Sequence, residues 1–407
     1  MKILHTADWH LGKRLDNFLR LEEQREVMQE ICEIADRESA DIVVVAGDLF
    51  DTINPPVDAV ELFYKTLKRL SNNGKRAVVA IAGNHDSPDR IESPEPLATE
   101  CGIILSGYPN SEIPALKLDT GVEILRSEAG FIELSLPNSS ENIRILLTPY
   151  ANEARLKTYL GAEDSEQELR DILASKWEEL AEKYCDDKGV NILLTHLFMI
   201  GRGEQQPEEP EDEKPILHVG GAQVVYADNV PENIQYTALG HLHRKQQMKN
   251  SRGIASYSGS PISYSFSEAN QKKYVLLIDA QAGKEISLKE CELTKGRKLL
   301  RFKANGIEEA VSWLSDNTEA LVELTIVSDT FLTSVDRKLL AETHSHIISI
   351  IPEIKNIDEL MEDDKSNIDL TQPIDDLFKS YFKSKNAGQE PNERIMSLFK
   401  EILAEEK

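Results

Sequence analysis

Five short polar motifs interrupt this chain, each following an apolar, mostly β-branched run: Asp8-Trp9-His10, Gly47-Asp48-Leu49-Phe50-Asp51, Gly83-Asn84-His85-Asp86, Thr195-His196 and Gly240-His241-Leu242-His243. The runs themselves, Ile3-Leu4, Ile42 to Ala46, Ala77 to Ala82, Ile192 to Leu194 and Tyr236 to Leu239, read as short buried strands. A strand that stops at such a residue delivers it to the loop at the carboxyl edge of a sheet. Loops there are free to carry chemistry while the sheet holds them in place. The pattern therefore predicts an α/β fold in which five strand ends converge.

The donor types in those motifs suit a pair of divalent cations. Two ions about 3.5–4 Å apart need one carboxylate that spans both, with nitrogen and oxygen donors on either side. Asp48 is the natural bridge; Asp8, His10 and His243 complete the first site, and Asn84, His196 and His241 the second. Imidazole, carboxylate and amide oxygen without thiolate suit manganese, iron or zinc better than calcium. His85 follows Asn84 on the same turn, in reach of the substrate side of the ions. Each motif alone is common by chance, whereas all five in this order are not.

Length and composition set the frame for that site. The 407 residues, 40% of them hydrophobic, suffice for one large domain with one or two smaller ones. No run reaches the roughly 18 apolar residues of a membrane helix, and Met1 leads directly into a strand, so a cytoplasmic location is expected. Cys32, Cys101, Cys185 and Cys291 lie far apart and read as reduced thiols. A net charge of −25 is the reverse of the basic footprint of a protein that grips phosphates unaided. Much of it falls in the loop Glu204 to Lys214 and the carboxyl-terminal third. Lys13, Arg14, Arg90, Arg244 and Lys245 adjoin the motifs and are the candidate phosphate contacts.

Three regions follow from the pattern. Residues 1–275 alternate strands with helical segments such as Leu21 to Arg37, Val57 to Leu70 and Glu166 to Tyr184. Residues 276–360 read as a small α/β module entered through Tyr274 to Ile278, with Ile307 to Leu314, Ala320 to Val327 and Val335 to Ile351. Residues 368–407 hold two amphipathic segments, Ile374 to Phe382 and Glu393 to Leu403, that fit either a self-packed helical pair or a partner-docking one. Of the remaining histidines, His5, His218, His344 and His346 are not expected to ligate metal; the last two lie in a helical reading that splays them apart.

With its opening Met1-Lys2-Ile3-Leu4-His5-Thr6-Ala7-Asp8-Trp9-His10-Leu11-Gly12, the stretch Ala46 to Asp51, and Tyr257-Ser258-Gly259-Ser260-Pro261, the chain resembles the calcineurin-like metallophosphoesterase superfamily. Within it, the chain resembles the SbcD family of bacterial nuclease subunits. The resemblance implies an α/β sandwich of two mixed sheets flanked by helices, a small α/β capping domain and a C-terminal helical pair. It further implies two divalent ions, most often Mn2+, and DNA phosphodiester hydrolysis in repair and recombination: 3′→5′ exonuclease action on double strands and endonuclease action on single strands and hairpins. A coiled-coil ATPase of the SbcC type, related to SMC proteins, is the implied partner. No Gly-x-x-x-x-Gly-Lys occurs in this chain, so ATP hydrolysis would be the partner's.

On this reading His85 positions the phosphate or protonates the leaving oxygen, with Asp86 or Asp51 orienting it. Archaeal and eukaryotic relatives carry a histidine where this chain has Asp51, so that histidine's role does not transfer. A homodimer is also implied, for which Leu19, Leu21, Val27, Met28 and Ile31 are the candidate surface. The rival readings are a small-substrate phosphatase or phosphodiesterase of the same superfamily and a non-catalytic scaffold.

Overall fold

The computed structural model describes residues 1–157, 165–201, 224–250, 253–329, 332–354, 373–385, 390–391, 395–396 and 399. The acidic loop 204–214, His218 and most of the second tail segment lie outside them. The chain divides into two units, Met1–Leu300 and Arg301–Lys407.

The first unit is built on two sheets. One has six strands in the order Ser287–Leu293, Lys273–Asp279, Lys2–Thr6, Ile42–Ala46, Ala77–Ile81, Ile103–Ser106, and its last four run parallel. The other has seven, ordered Gln246–Asn250, Gly253–Tyr257, Tyr236–Gly240, Val190–His196, Ile143–Thr148, Phe131–Ser135, Glu123–Glu128, with a parallel centre and antiparallel flanks. Alternate residues of a strand point to opposite faces, and the burial divides accordingly. Ile3, Ile42, Val44, Val79 and Ile81 pack between the sheets against Ile145, Ile192, Leu194 and Ala238. Leu4, Val43, Val45, Val78 and Ala80 face outward onto Val27, Met28, Ile31, Phe63 and Leu67 of helices Leu21–Arg37 and Val57–Leu70. On the far side, Leu146 and Leu193 meet Leu169, Leu173 and Trp177 of helix Ser165–Tyr184. Burying both faces of both sheets explains why the central strands are continuously apolar rather than alternating. The result is the expected α/β sandwich.

Two expectations change here. The run Tyr274 to Ile278 does not enter the smaller module. Strand Lys273–Asp279 pairs antiparallel with Lys2–Thr6 and is followed by Ser287–Leu293 in the same sheet, which puts the division near Leu300 and not at 275. Val27, Met28 and Ile31 are at most 1% exposed in the core, so they are removed from the candidate dimer surface, whereas Leu19 is 67% exposed.

The second unit has a three-stranded sheet, Leu299–Asn305, Leu321–Ser328 and Ile347–Ile354, with helices Ile307–Asp316 and Ser334–Thr343. Phe302 stacks on Trp313 with ring centres 4.3 Å apart. Helix Ser334–Thr343 stops at His344, whose backbone is extended, so His344 and His346 are not on a helix; their rings meet edge to face at 5.7 Å. Each bonds a main-chain carbonyl, Asn317 O and Thr318 O respectively. The tail forms helix Ile374–Lys385, and Phe378 stacks on Phe399 at 3.8 Å. Among the described residues no helix is long and apolar enough to cross a membrane.

Candidate metal centre

Strands Lys2–Thr6, Ile42–Ala46 and Ala77–Ile81 of the first sheet end at the same edge, as do Val190–His196 and Tyr236–Gly240 of the second. The loops beyond them are laced together by their backbones: Asp8 N–H donates to Gly47 O at 3.0 Å and His10 N–H to Asp48 O at 2.9 Å. Asp8, His10, Asp48 and His241 all adopt positive φ, at 53°, 42°, 47° and 103°. Side-chain-bearing residues adopt that conformation at a cost, and it concentrates where surrounding structure dictates it, as at functional sites. Gly83 is required by proximity: a Cβ there would lie 2.1 Å from both the Asp48 nitrogen and Asp48 Oδ1. Gly83→Ala is expected to cost about 3 kcal/mol or more in urea unfolding and to displace Asp48. Unchanged stability together with unchanged Mn2+ affinity would contradict this packing.

All seven predicted ligands come together. Asp48 Oδ2 stands between two imidazoles, 3.5 Å from His10 Nε2 and 3.4 Å from His196 Nε2. Its other oxygen is fixed by His85 N–H at 2.9 Å. On one side His10 Nε2 faces His243 Nε2 at 3.0 Å, and Asp8 groups with His10 and Asp48. On the other, Asn84 Oδ1 lies 3.0 Å from His196 Nε2 and 3.0 Å from His241 Nδ1. The seven side chains thus lie on two sides of Asp48, and Asp51 and His85 also cluster with His10.

The electrostatics fit cations. His196 Nδ1 donates to Ala46 O at 2.7 Å, which turns its Nε2 toward Asp48 Oδ2 at 3.4 Å and Asn84 Oδ1 at 3.0 Å. Burial opposes charge on His196, yet the Asp48 and Asp8 carboxylates outweigh it and raise the ring to about 9. Asp48 is held well below the usual carboxylate range: burial opposes this, and His196 and His10 prevail. Burial pushes Asp8 up to about 7 and His241 down to about 3. Asp8 Oδ1 accepts from His241 N–H at 2.8 Å, and Oδ2 is buried without a hydrogen-bond partner among the described residues. Among the described residues no lysine or arginine forms an ion pair with Asp8 or Asp48. Two buried carboxylates, a neutral amide oxygen and converging imidazole nitrogens are a donor set suited to borderline divalent cations.

The residues around the ligands are placed differently from expectation. His85 Nδ1 donates to Asp51 O at 2.8 Å, so a main-chain carbonyl orients it and neither proposed carboxylate does. Asp86 accepts from Leu49, Phe50 and Gly83 N–H groups at 2.8–3.0 Å and thereby braces the Asp48 loop. Asp51 pairs with Lys13 at 3.0 Å and lies 3.7 Å from His10 Nδ1. The basic candidates have partners within the chain: Arg14 donates to Asn17 O, Arg90 to Asn54 Oδ1, and Lys245 pairs with Glu290. Arg244 is exposed.

Sequence reasoning passed over several supports. Arg155, in a helical turn capped by Asn152, donates to Gly83 O and Asp86 O at 2.8 Å and so holds the Asn84 loop. Gln24 donates to His10 O at 2.8 Å. Tyr264 donates to Trp9 O and sets its ring edge against His10 and His243. Only a fold can join these to the motifs, since they lie far away in sequence.

Residues 1–245 match the Calcineurin-like phosphoesterase family. The chain is 38% identical over 412 aligned positions to the SbcD subunit of the SbcCD nuclease of Bacillus subtilis (strain 168), covering 99% of this chain and 98% of that protein. It is 32% identical to the Rhodobacter capsulatus protein of the same name, over 75% of this chain and 72% of that one. Among solved structures, a dimetal phosphatase from Danio rerio overlaps 72% of this chain and 97% of its own at 13% identity and a TM-score of 0.37, too loosely to bear on chemistry. The chain belongs to the calcineurin-like phosphoesterase family, in its SbcD branch.

Proposed function

We propose that this chain is a nuclease subunit that hydrolyses DNA phosphodiester bonds at a two-metal centre, in company with an SbcC-type coiled-coil ATPase. The observation that carries the reading is Asp48 Oδ2, within 3.5 Å of an imidazole nitrogen on each side. Asp8, His10 and His243 would hold one ion with Asp48, and Asn84, His196 and His241 the other. Bound there, divalent cations supply Lewis-acid charge that activates water and stabilises the charge growing on phosphate; Mn2+ is the ion we favour. The substrate class is supported by near full-length similarity to proteins named as nuclease subunits.

The chain's own groups do the rest. Asp48 fixes the separation of the two donor sets. His85 Nδ1 donates to Asp51 O, and its remaining nitrogen, Nε2, gives a proton to the leaving oxygen from the imidazolium form, which leaves a neutral ring with Nδ1–H still on Asp51 O. Asp86 and Arg155 keep the loop that carries His85 in register.

We assign 3′→5′ action on duplex ends and endonucleolytic action on single strands and hairpins, in repair and recombination, to the same centre. The module beyond Arg301 serves as a cap, and the tail pair docks the ATPase, with Ile374 and Tyr381 still 56% and 57% exposed. A partner that contributes DNA affinity reconciles this role with a net charge of −25. A homodimer would use Leu19 with the exposed Ile53 and Val57, all on segments that follow strands ending at the metal edge. To test the reading, the full chain is incubated with Mn2+ and either end-labelled hairpin DNA or a cyclic nucleotide. Cleaved DNA is expected; hydrolysis of the cyclic nucleotide alone would assign the chain to small substrates.

A further inference from the structure

Behind His243 lies a buried ion pair that neither the metal ligands nor the proton-donating histidine account for. Glu268 is 3% exposed and Lys273 8%. Both lie beyond residue 245, where the family match stops. Glu268 Oε1 is 3.4 Å from His243 Nδ1, on the side of the ring away from Nε2, and accepts from Tyr264 N–H at 3.0 Å. Its Oε2 accepts from Lys273 Nζ and from Ser260 Oγ. Lys273 Nζ also donates to Ser260 Oγ at 2.9 Å and to His243 O at 3.0 Å. One lysine thus grips both the carboxylate behind the ring and the main chain of the residue that bears it.

We infer that Glu268, clamped by Lys273, is a positioning residue that fixes the ring of His243 so that Nε2 is presented to the ion site formed with Asp8 and His10. The inference rests on the two-metal reading above and deepens it. A buried ion pair is a weak source of stability, because desolvation offsets most of its attraction. A carboxylate that receives the far N–H of a ligating histidine, by contrast, sets its tautomer and orientation and increases its basicity. The two sides of the centre differ in this respect. His196 Nδ1 faces the Ala46 carbonyl at 2.7 Å, whereas His243 Nδ1 faces a carboxylate oxygen at 3.4 Å. The clamp is local to one ion site, so its removal should weaken one ion and spare the other.

The supporting elements follow from the fold. Glu268 ends the short helical turn Phe266–Glu268, and Lys273 opens the strand that pairs with Lys2–Thr6, the strand leading to Asp8. The Tyr257-Ser258-Gly259-Ser260-Pro261 stretch then has a physical role: Ser260 N–H donates to His243 O at 3.1 Å, and Ser260 Oγ joins the clamp.

The experiment is Mn2+ binding to the purified full chain by titration calorimetry, with thermal melting in chelator as a folding control. In Glu268→Gln, one of two Mn2+ equivalents is expected to weaken about 10- to 100-fold while the other keeps its wild-type affinity. Excess Mn2+ should restore DNA cleavage. Glu268→Gln strands a buried lysine, so the Glu268→Gln/Lys273→Met double variant provides the same readout if the single variant fails to fold. Wild-type affinity for both equivalents in a folded variant would overturn the inference, and so would equal weakening of both. A wild-type chain that binds no Mn2+ would instead overturn the two-metal reading beneath it.

Discussion

Asp48→Ala is expected to strip the chain of both ions and to reduce DNA cleavage about 10³-fold or more. The reason is geometric. Asp48 Oδ2 lies within 3.5 Å of an imidazole from each donor set, and Oδ1 is anchored by His85 N–H. Its removal leaves Asp8 as the one carboxylate among the assigned ligands, and its ordinary charge is already opposed by burial. Without an anion between them, the first cation bound repels the second. Metal content of the folded variant, read by atomic emission, should fall from two ions per chain to less than one. Two tightly held ions in Asp48→Ala would remove the bridge from the account.

His85→Ala separates chemistry from binding. Its imidazole lies edge to face with His10 at 4.9 Å and near Asp51 and His10, and it is not one of the seven ligands assigned to the ions. The variant should therefore retain two Mn2+ and lose about 10²- to 10⁴-fold in DNA hydrolysis, the range for a positioned proton donor. The loss should shrink sharply with bis-p-nitrophenyl phosphate, whose leaving group departs without a proton. Equal losses on both substrates would assign His85 to phosphate positioning, and undiminished DNA cleavage would remove it from the mechanism. Asp86→Asn should behave otherwise, lowering stability and activity together, because Asp86 braces Leu49, Phe50 and Gly83 and does not touch His85's ring.

The helices Leu21–Arg37 and Val57–Leu70 are legible to the residue because each turns one apolar stripe toward a sheet. The ligand set is legible for a related reason: a strand's end and the donor that follows it are adjacent in sequence. Relations between distant segments are not. Strand Lys273–Asp279 looks like the start of a new module until it is seen beside Lys2–Thr6, and antiparallel pairing across that distance leaves no local periodic mark. Asp86 looks like a partner for His85 because they are neighbours; its actual partners are main-chain N–H groups brought to it by the fold. Glu268, Lys273 and Arg155 carry no motif of their own, and their work is visible only as contacts. The division at Leu300 is hidden for the same reason, since the last two strands of the first sheet resemble those of the smaller module.

The central claim is that one carboxylate holds two cations between two histidine-bearing sides. Anomalous diffraction from crystals soaked in Mn2+ tests it most directly. The account predicts two peaks about 3.5–4 Å apart, both contacting Asp48, one beside His10 and His243 and the other beside His196, His241 and Asn84. A single peak, or two peaks that do not share Asp48, would contradict it.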